Sequence, residues 1–145
     1  MSDIVVKFHE NEQITNELEE TVKITRRELI DYCLTLPAAY EDYPFDDLSK
    51  SPDSWTVMRH RANKKSFALI FERNGRLCVN LKCDPQEADF LRSVYADVTP
   101  AYHMNKAHWN TIAVSGDVPK DALKDMINAS YDLIKPKVRK RKYAD

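Results

Sequence analysis

Apolar residues at Leu29, Ile30, Cys33 and Leu34 repeat with the period of one helical stripe. Thr25-Arg26-Arg27-Glu28 precedes them as a capping box, Ile24 is placed to staple onto Leu29, and Leu36-Pro37 closes the run, which predicts a helix over 25–35. Residues 39–55, AYEDYPFDDLSKSPDSW, then show no period and carry two prolines and five acids, the pattern of a long irregular connection. An alternating pattern follows. Residues 55–61, 66–72 and 77–82 read as strands, the first two joined by Ala62-Asn63-Lys64-Lys65. The last two flank Arg73-Asn74-Gly75-Arg76, whose Asn-Gly pair suits a type I′ hairpin because both turn positions want positive φ. Asp84 as N-cap and Pro85 in the first turn start a second helix to about Tyr95. Residues 109–114 form a strand, Ser115-Gly116-Asp117 a turn, and 119–134 a last helix with the stripe Leu123, Ile127, Tyr131 and Ile134.

A two-residue loop fixes the register of the hairpin: 73 opposes 76, 71 opposes 78, 69 opposes 80 and 67 opposes 82. One face then carries Ala68, Ile70, Leu77, Val79 and Leu81, the core set. The other places Phe67, Leu69 and Phe71 beside Arg76, Cys78, Asn80 and Lys82. That mixed face suits base stacking with phosphate contacts, or burial under the connection or the middle helix as a second small core.

Composition narrows the class. The chain has 145 residues, 43% of them hydrophobic, which fits one domain, and no apolar run is long enough to span a bilayer. The start, MSDIVVKFHENEQ, lacks the basic flank and apolar stretch of a secretory signal, so a cytoplasmic protein without a membrane partner is expected. Three cysteines without a CxxC pair suit reduced thiols. The net charge of −1 hides an asymmetry: residues 1–50 hold 5 Lys/Arg against 12 Asp/Glu, and residues 51–145 hold 17 against 11. The basic part can still present a positive face. We divide the chain into an acidic extension (1–23), a domain (24–136) and a basic tail (137–145) expected to be disordered.

The blocks ELIDYCLTLPAAYEDYPFDD, WTVMRHRANKKSFALIFERNGRLCVNLKCDP, VTPAYHMNKAHWNTI and LKDMINASYDLIKPK, in that order and spacing, resemble the MmcQ/YjbR-like family of small bacterial proteins over about residues 24–138. The acidic extension and the lengthened LSKSPDS depart from the family pattern. The resemblance implies an α+β two-layer sandwich similar to the CyaY/frataxin arrangement, a twisted antiparallel sheet with the first and last helices packed on one face. It also implies DNA binding through wing-like hairpins, while the frataxin likeness transfers no function.

Three functions compete. The first is binding of nucleic acid, duplex DNA above all and with little sequence choice. Here Arg59, Arg61, Lys64, Lys65, Arg73, Arg76 and Lys106 contact phosphates, and His103, Asn105 and Trp109 shape a second wing. This requires the basic loops to converge. The segment HMNKAHWN has a plainer reading, in which Asn105 bonds nearby backbone and Trp109 buries its ring at a strand start. The second function is a protein-interaction or self-association surface around Phe67, Leu69 and Phe71. The third is weak metal binding by Glu41, Asp42, Asp46 and Asp47. His103 and His108 lack further ligands between Tyr102 and Ile112, so no metal is assigned there. No nucleophile elbow, phosphate loop or HExxH is present, and two glycines give little means of cradling a nucleotide. No enzyme activity and no cofactor are expected.

Overall fold

The computed structural model describes residues 23–45 and 55–137. Most of the acidic extension, the basic residues from 138 onward, Asp46 and Asp47 lie outside the described residues. Thr25 acts as the N-cap as expected: the Glu28 amide donates to Thr25 Oγ1 at 3.1 Å and starts helix α1 (Arg26–Leu34). Strands β1 (Ala39–Asp42), β2 (Thr56–His60), β3 (Ser66–Arg73) and β4 (Arg76–Lys82) follow, then α2 (Pro85–Val94), β5 (Val98–Pro100), β6 (Trp109–Ala113) and α3 (Lys120–Ile134). The strands make one antiparallel sheet in the order β1-β2-β3-β4-β6-β5. The fold is α+β. The helices pack on one face, where Leu29, Ile30 and Cys33 of α1 and Leu123, Ile127, Tyr131 and Ile134 of α3 meet Met58, Ile70, Val79, Leu81 and Ile112 of the sheet.

The hairpin has the expected register, with Arg73 opposite Arg76 and Phe71 opposite Cys78. Asn74 and Gly75 take φ of 52° and 75°, as the turn demands. Two elements differ from the sequence reading. Ala39–Asp42 is a strand and not irregular, pairing with β2 so that Ala39 opposes His60 and Asp42 opposes Val57. Its acids hid it, yet they are held in place: Glu41 Oε1 accepts from Arg27 at 3.1 Å and Asp42 Oδ2 from Arg59 at 2.9 Å. The three-residue β5 ends in proline at the sheet edge and so leaves no periodic signal.

The second correction concerns Phe67. The register of β2 with β3 shifts between Met58, opposite Ala68, and Arg59, opposite Ser66, so Phe67 is an extra residue on β3. The bulge turns its ring toward the helices, where it is fully buried and meets Tyr131 edge-on at 5.3 Å. Ser130 of α3 secures the site, donating its hydroxyl to the Phe67 carbonyl at 2.6 Å and accepting from the Lys82 amide at 2.9 Å. Helix, bulged strand and β4 are tied together by one oxygen.

Candidate nucleic-acid interface

The sheet face away from the helices is covered, and not by α2. Trp55 stacks on Phe71 with centroids 4.2 Å apart and planes at 7°. The segment after β5 folds back over the sheet: the Tyr102 amide donates to Thr111 Oγ1 at 2.8 Å, and Asn80 Nδ2 to the Tyr102 carbonyl at 2.9 Å. Thr111 donates in turn to Asn80 Oδ1, which completes a buried polar link between β4, β6 and the loop. Leu69 and Phe71 are thereby only 7% and 1% exposed. With Phe67 also buried, the apolar surface considered for protein interaction is part of two cores.

Strand polarity sorts the basic loops. The β2–β3 turn (61–65) and the last part of the β5–β6 connection (105–108) lie at the same end of the sheet as the C-terminus of β4, since Lys82 opposes Trp109 and the Cys83 amide donates to the His108 carbonyl at 2.8 Å, whereas Tyr102 and His103 reach back over the sheet to Trp55. The Arg73–Arg76 tip lies at the other end of β3, a strand of eight residues spanning about 25 Å. The seven cations therefore do not all share one patch: Arg76 stays at the tip with Asp97, while the Arg73 side chain reaches back to Tyr102.

Their partners divide them further. Arg59 is engaged by Asp42 and donates to the Lys64 carbonyl at 2.9 Å, closing the β2–β3 turn where Lys64 has a φ of 60°. Arg76 pairs with Asp97 at 3.1 Å. Asp97 lies below its ordinary pKa because it accepts from the Asp117 backbone and then from Arg76. Arg73 sits over the Tyr102 ring, 4.2 Å from its centroid. Arg61, Lys64, Lys65 and Lys106 are exposed and have no ion pair among the described residues, although Arg61 stands 5.6 Å from the Tyr40 centroid.

His103 is exposed with a φ of 61°, and its ring lies 3.9 Å from that of Tyr102. Asn105 makes a local turn, its Oδ1 accepting from the Ala107 amide at 2.9 Å. Trp109 is half-buried at the start of β6. The metal reading loses two candidates, because Arg27 and the Tyr43 hydroxyl occupy Glu41 and Arg59 occupies Asp42. Among the described residues no group of three His, Cys, Asp or Glu side chains is arranged to hold a metal, and no helix is long and apolar enough to cross a membrane.

Two residues that no local motif marks organise the basic end. Asn63 donates through Nδ2 to the Ile134 carbonyl at 2.7 Å while its Oδ1 accepts from the Lys65 amide at 3.0 Å, so the β2–β3 turn caps the C-terminus of α3. The residue before Lys135, itself paired with Asp132 at 3.0 Å, is thereby held against the turn that carries Lys64 and Lys65. Arg92 of α2 donates to Asn110 Oδ1 at 2.6 Å, to the Trp109 carbonyl at 3.3 Å and to the Lys106 carbonyl, clamping the loop that carries Lys106.

This architecture has counterparts. A solved Pseudomonas syringae protein is 30% identical and superimposes with a TM-score of 0.67, covering 77% of this chain and all of that one. A Deinococcus radiodurans protein with a DUF419 domain is also 30% identical, with a TM-score of 0.66 over 78% of this chain and 79% of that chain. In sequence, Escherichia coli YjbR is 32% identical over 108 residues, 74% of this chain and 85% of its own length. Bacillus subtilis YyaQ is 30% identical over 122 residues, 77% of this chain and 99% of its own. The profile of the YjbR family matches residues 34–133, which contain the sheet, α2, nearly all of α3 and all seven cations of the hairpin and loop set. By sequence and by fold, this chain belongs to the YjbR family.

Proposed function

We propose that the chain is a cytoplasmic DNA-binding protein that holds duplex phosphates at the end of the sheet bearing the β2–β3 turn, with little choice of sequence. Arg61, Lys64, Lys65 and Lys106 are the contacting cations, joined by the C-terminal residues Lys137, Arg139, Lys140, Arg141 and Lys142. The observation that carries this reading is the hydrogen bond from Asn63 to the Ile134 carbonyl, which tethers the start of the basic tail to the turn. Several cations close together match a backbone of evenly spaced phosphates without reading bases. His103, Asn105 and Trp109 act as the frame of the Lys106 loop. Arg59, Arg73 and Arg76 have structural work and leave the set of seven. The CyaY-like parentage belongs to the same proposal and contributes architecture without function.

Fluorescence anisotropy of a labelled duplex tests it. Charge reversal in Lys64→Glu/Lys65→Glu should weaken binding by roughly tenfold or more at low salt, since each lost phosphate contact removes counterion release. Arg76→Gln, at the hairpin tip and paired there with Asp97, should change affinity less than about twofold, the scale of a remote screened charge. Equal losses from both ends, or none from either, would reject the assignment.

A further inference from the structure

Helix α2 contacts the sheet over β5 and β6, and α3 over β3 and β4. Between them a groove of about 360 Å³ stays open. Its floor is Leu81 and Ile112, and its walls are Leu91 and Tyr95 of α2 and Met126 and Ala129 of α3. Only Ala88 of α2 is buried, and Leu91, Tyr95 and Met126 remain half-buried. Elsewhere on the two helices, Phe90 and Val94 of α2 and Leu133 of α3 are 59%, 51% and 47% exposed. Apolar walls left wet beside a well-filled core match the size and lining of small-molecule sites more than a packing defect.

The charges at the groove select a class of occupant. Glu87 on α2 and Asp125 on α3 line it from opposite sides, and neither has an ion-pair partner among the described residues. Lys82 is the single cation in the lining. Cys83 also lines the groove, and its thiol is pushed up to about 11, by desolvation first and then by Glu87 and Asp84, with Arg92 opposing. The Tyr95 ring adds a surface that attracts cations. We propose that the α2–α3 groove binds a small organic cation, an apolar body carrying an ammonium group that lies between Glu87 and Asp125. This site is separate from the basic end and does not depend on the nucleic-acid reading.

The probes are 2-phenylethylamine, 3-phenylpropionate and 3-phenylpropanol, matched in apolar body and different in charge, titrated into the ¹⁵N-labelled full chain. Shifts should centre on Leu91, Ile112, Met126 and Ala129, with the amine bound roughly tenfold more tightly than the carboxylate, as two exposed carboxylates would give. Glu87→Gln/Asp125→Asn, at exposed positions, should bring the two within about twofold while keeping the shift pattern, because only screened charge is removed. Ala129→Phe should abolish the shifts while the rest of the spectrum stays native. The inference fails if the amine moves no groove resonance at millimolar concentration, or if all three probes bind alike. It fails equally if light scattering shows a concentration-dependent dimer that Ala129→Phe abolishes, for a second copy would then be the occupant.

Discussion

Removing one oxygen at Ser130 tests the packing account most sharply. Ser130→Ala leaves the helix backbone intact and creates no cavity larger than a hydroxyl, but two main-chain groups lose their partner: the carbonyl of bulged Phe67 and the amide of Lys82. A buried polar group left unsatisfied costs about 1–3 kcal/mol. Lys82 is half-buried, so water recovers part of its loss, and alanine returns about 0.5 kcal/mol of helix propensity. The net expectation is a loss of about 2–3 kcal/mol. For a domain of this size that is a fall in Tm of roughly 10 °C. Urea denaturation should show a lower midpoint with an unchanged slope. Hydrogen exchange should accelerate at the Lys82 amide. A loss below about 1 kcal/mol would mean that Ser130 does not hold the bulge, and the explanation given for the position of Phe67 would fall with it.

Further substitutions probe other joints. A Cβ on Gly116 would stand 1.8 Å from Asp97 Oδ2 and 2.7 Å from Arg76 Nη2. Gly116→Ala must therefore displace Asp97, and calorimetry should show a loss of about 1–3 kcal/mol with DNA affinity unchanged, whereas an unaltered Tm would refute this. Because the folded-state pKa of Asp97 lies below its ordinary 3.8, its stabilisation is complete above that value and disappears as pH falls through the depressed one. Asp97→Asn should accordingly lose stability near neutrality and show a shallower acid limb in thermal melts from pH 5 to pH 2; parallel limbs would contradict this. Arg92→Ala removes donors to Asn110, Trp109 and Lys106. Faster amide exchange over 105–109 and a loss of about 2–3 kcal/mol are expected, and a protected loop would refute the clamp.

The helices and the hairpin were legible because each carries a local signature: the capping box at Thr25, Asp84-Pro85, Asn74-Gly75 and the stripe of α3. Strand β1 was hidden because its polar residues are satisfied by Arg27 and Arg59, partners 14 and 17 positions away in the chain. The position of Phe67 could not follow from alternation, since a bulge breaks the period of two and nothing local announces it. The faint signal lay elsewhere: Ser130 interrupts an apolar stripe between Ile127 and Ile134, and a small polar residue on a buried helix face usually bonds something across the interface. For the basic loops, sequence gave the residues and their turns but not the ends of the sheet. Strand polarity separates the Arg73–Arg76 tip from the other loops, and the carboxylates that occupy Arg59 and Arg76 are distant in sequence. The importance of Asn63 and Arg92 rests on carbonyls 71 and 14 to 17 positions away.

The dependence of duplex affinity on salt is the most direct test of a basic end built from the β2–β3 turn, the Lys106 loop and the tail. Arg61, Lys64, Lys65 and Lys106 alone correspond to a slope of log K against log salt of about −3.6, steepened by the tail. With the five tail cations engaged as well the slope reaches about −8, so the full chain should show about −4 to −8, reduced by about 2 in Lys64→Glu/Lys65→Glu. A slope near zero, or one that this double substitution leaves unchanged, would contradict it.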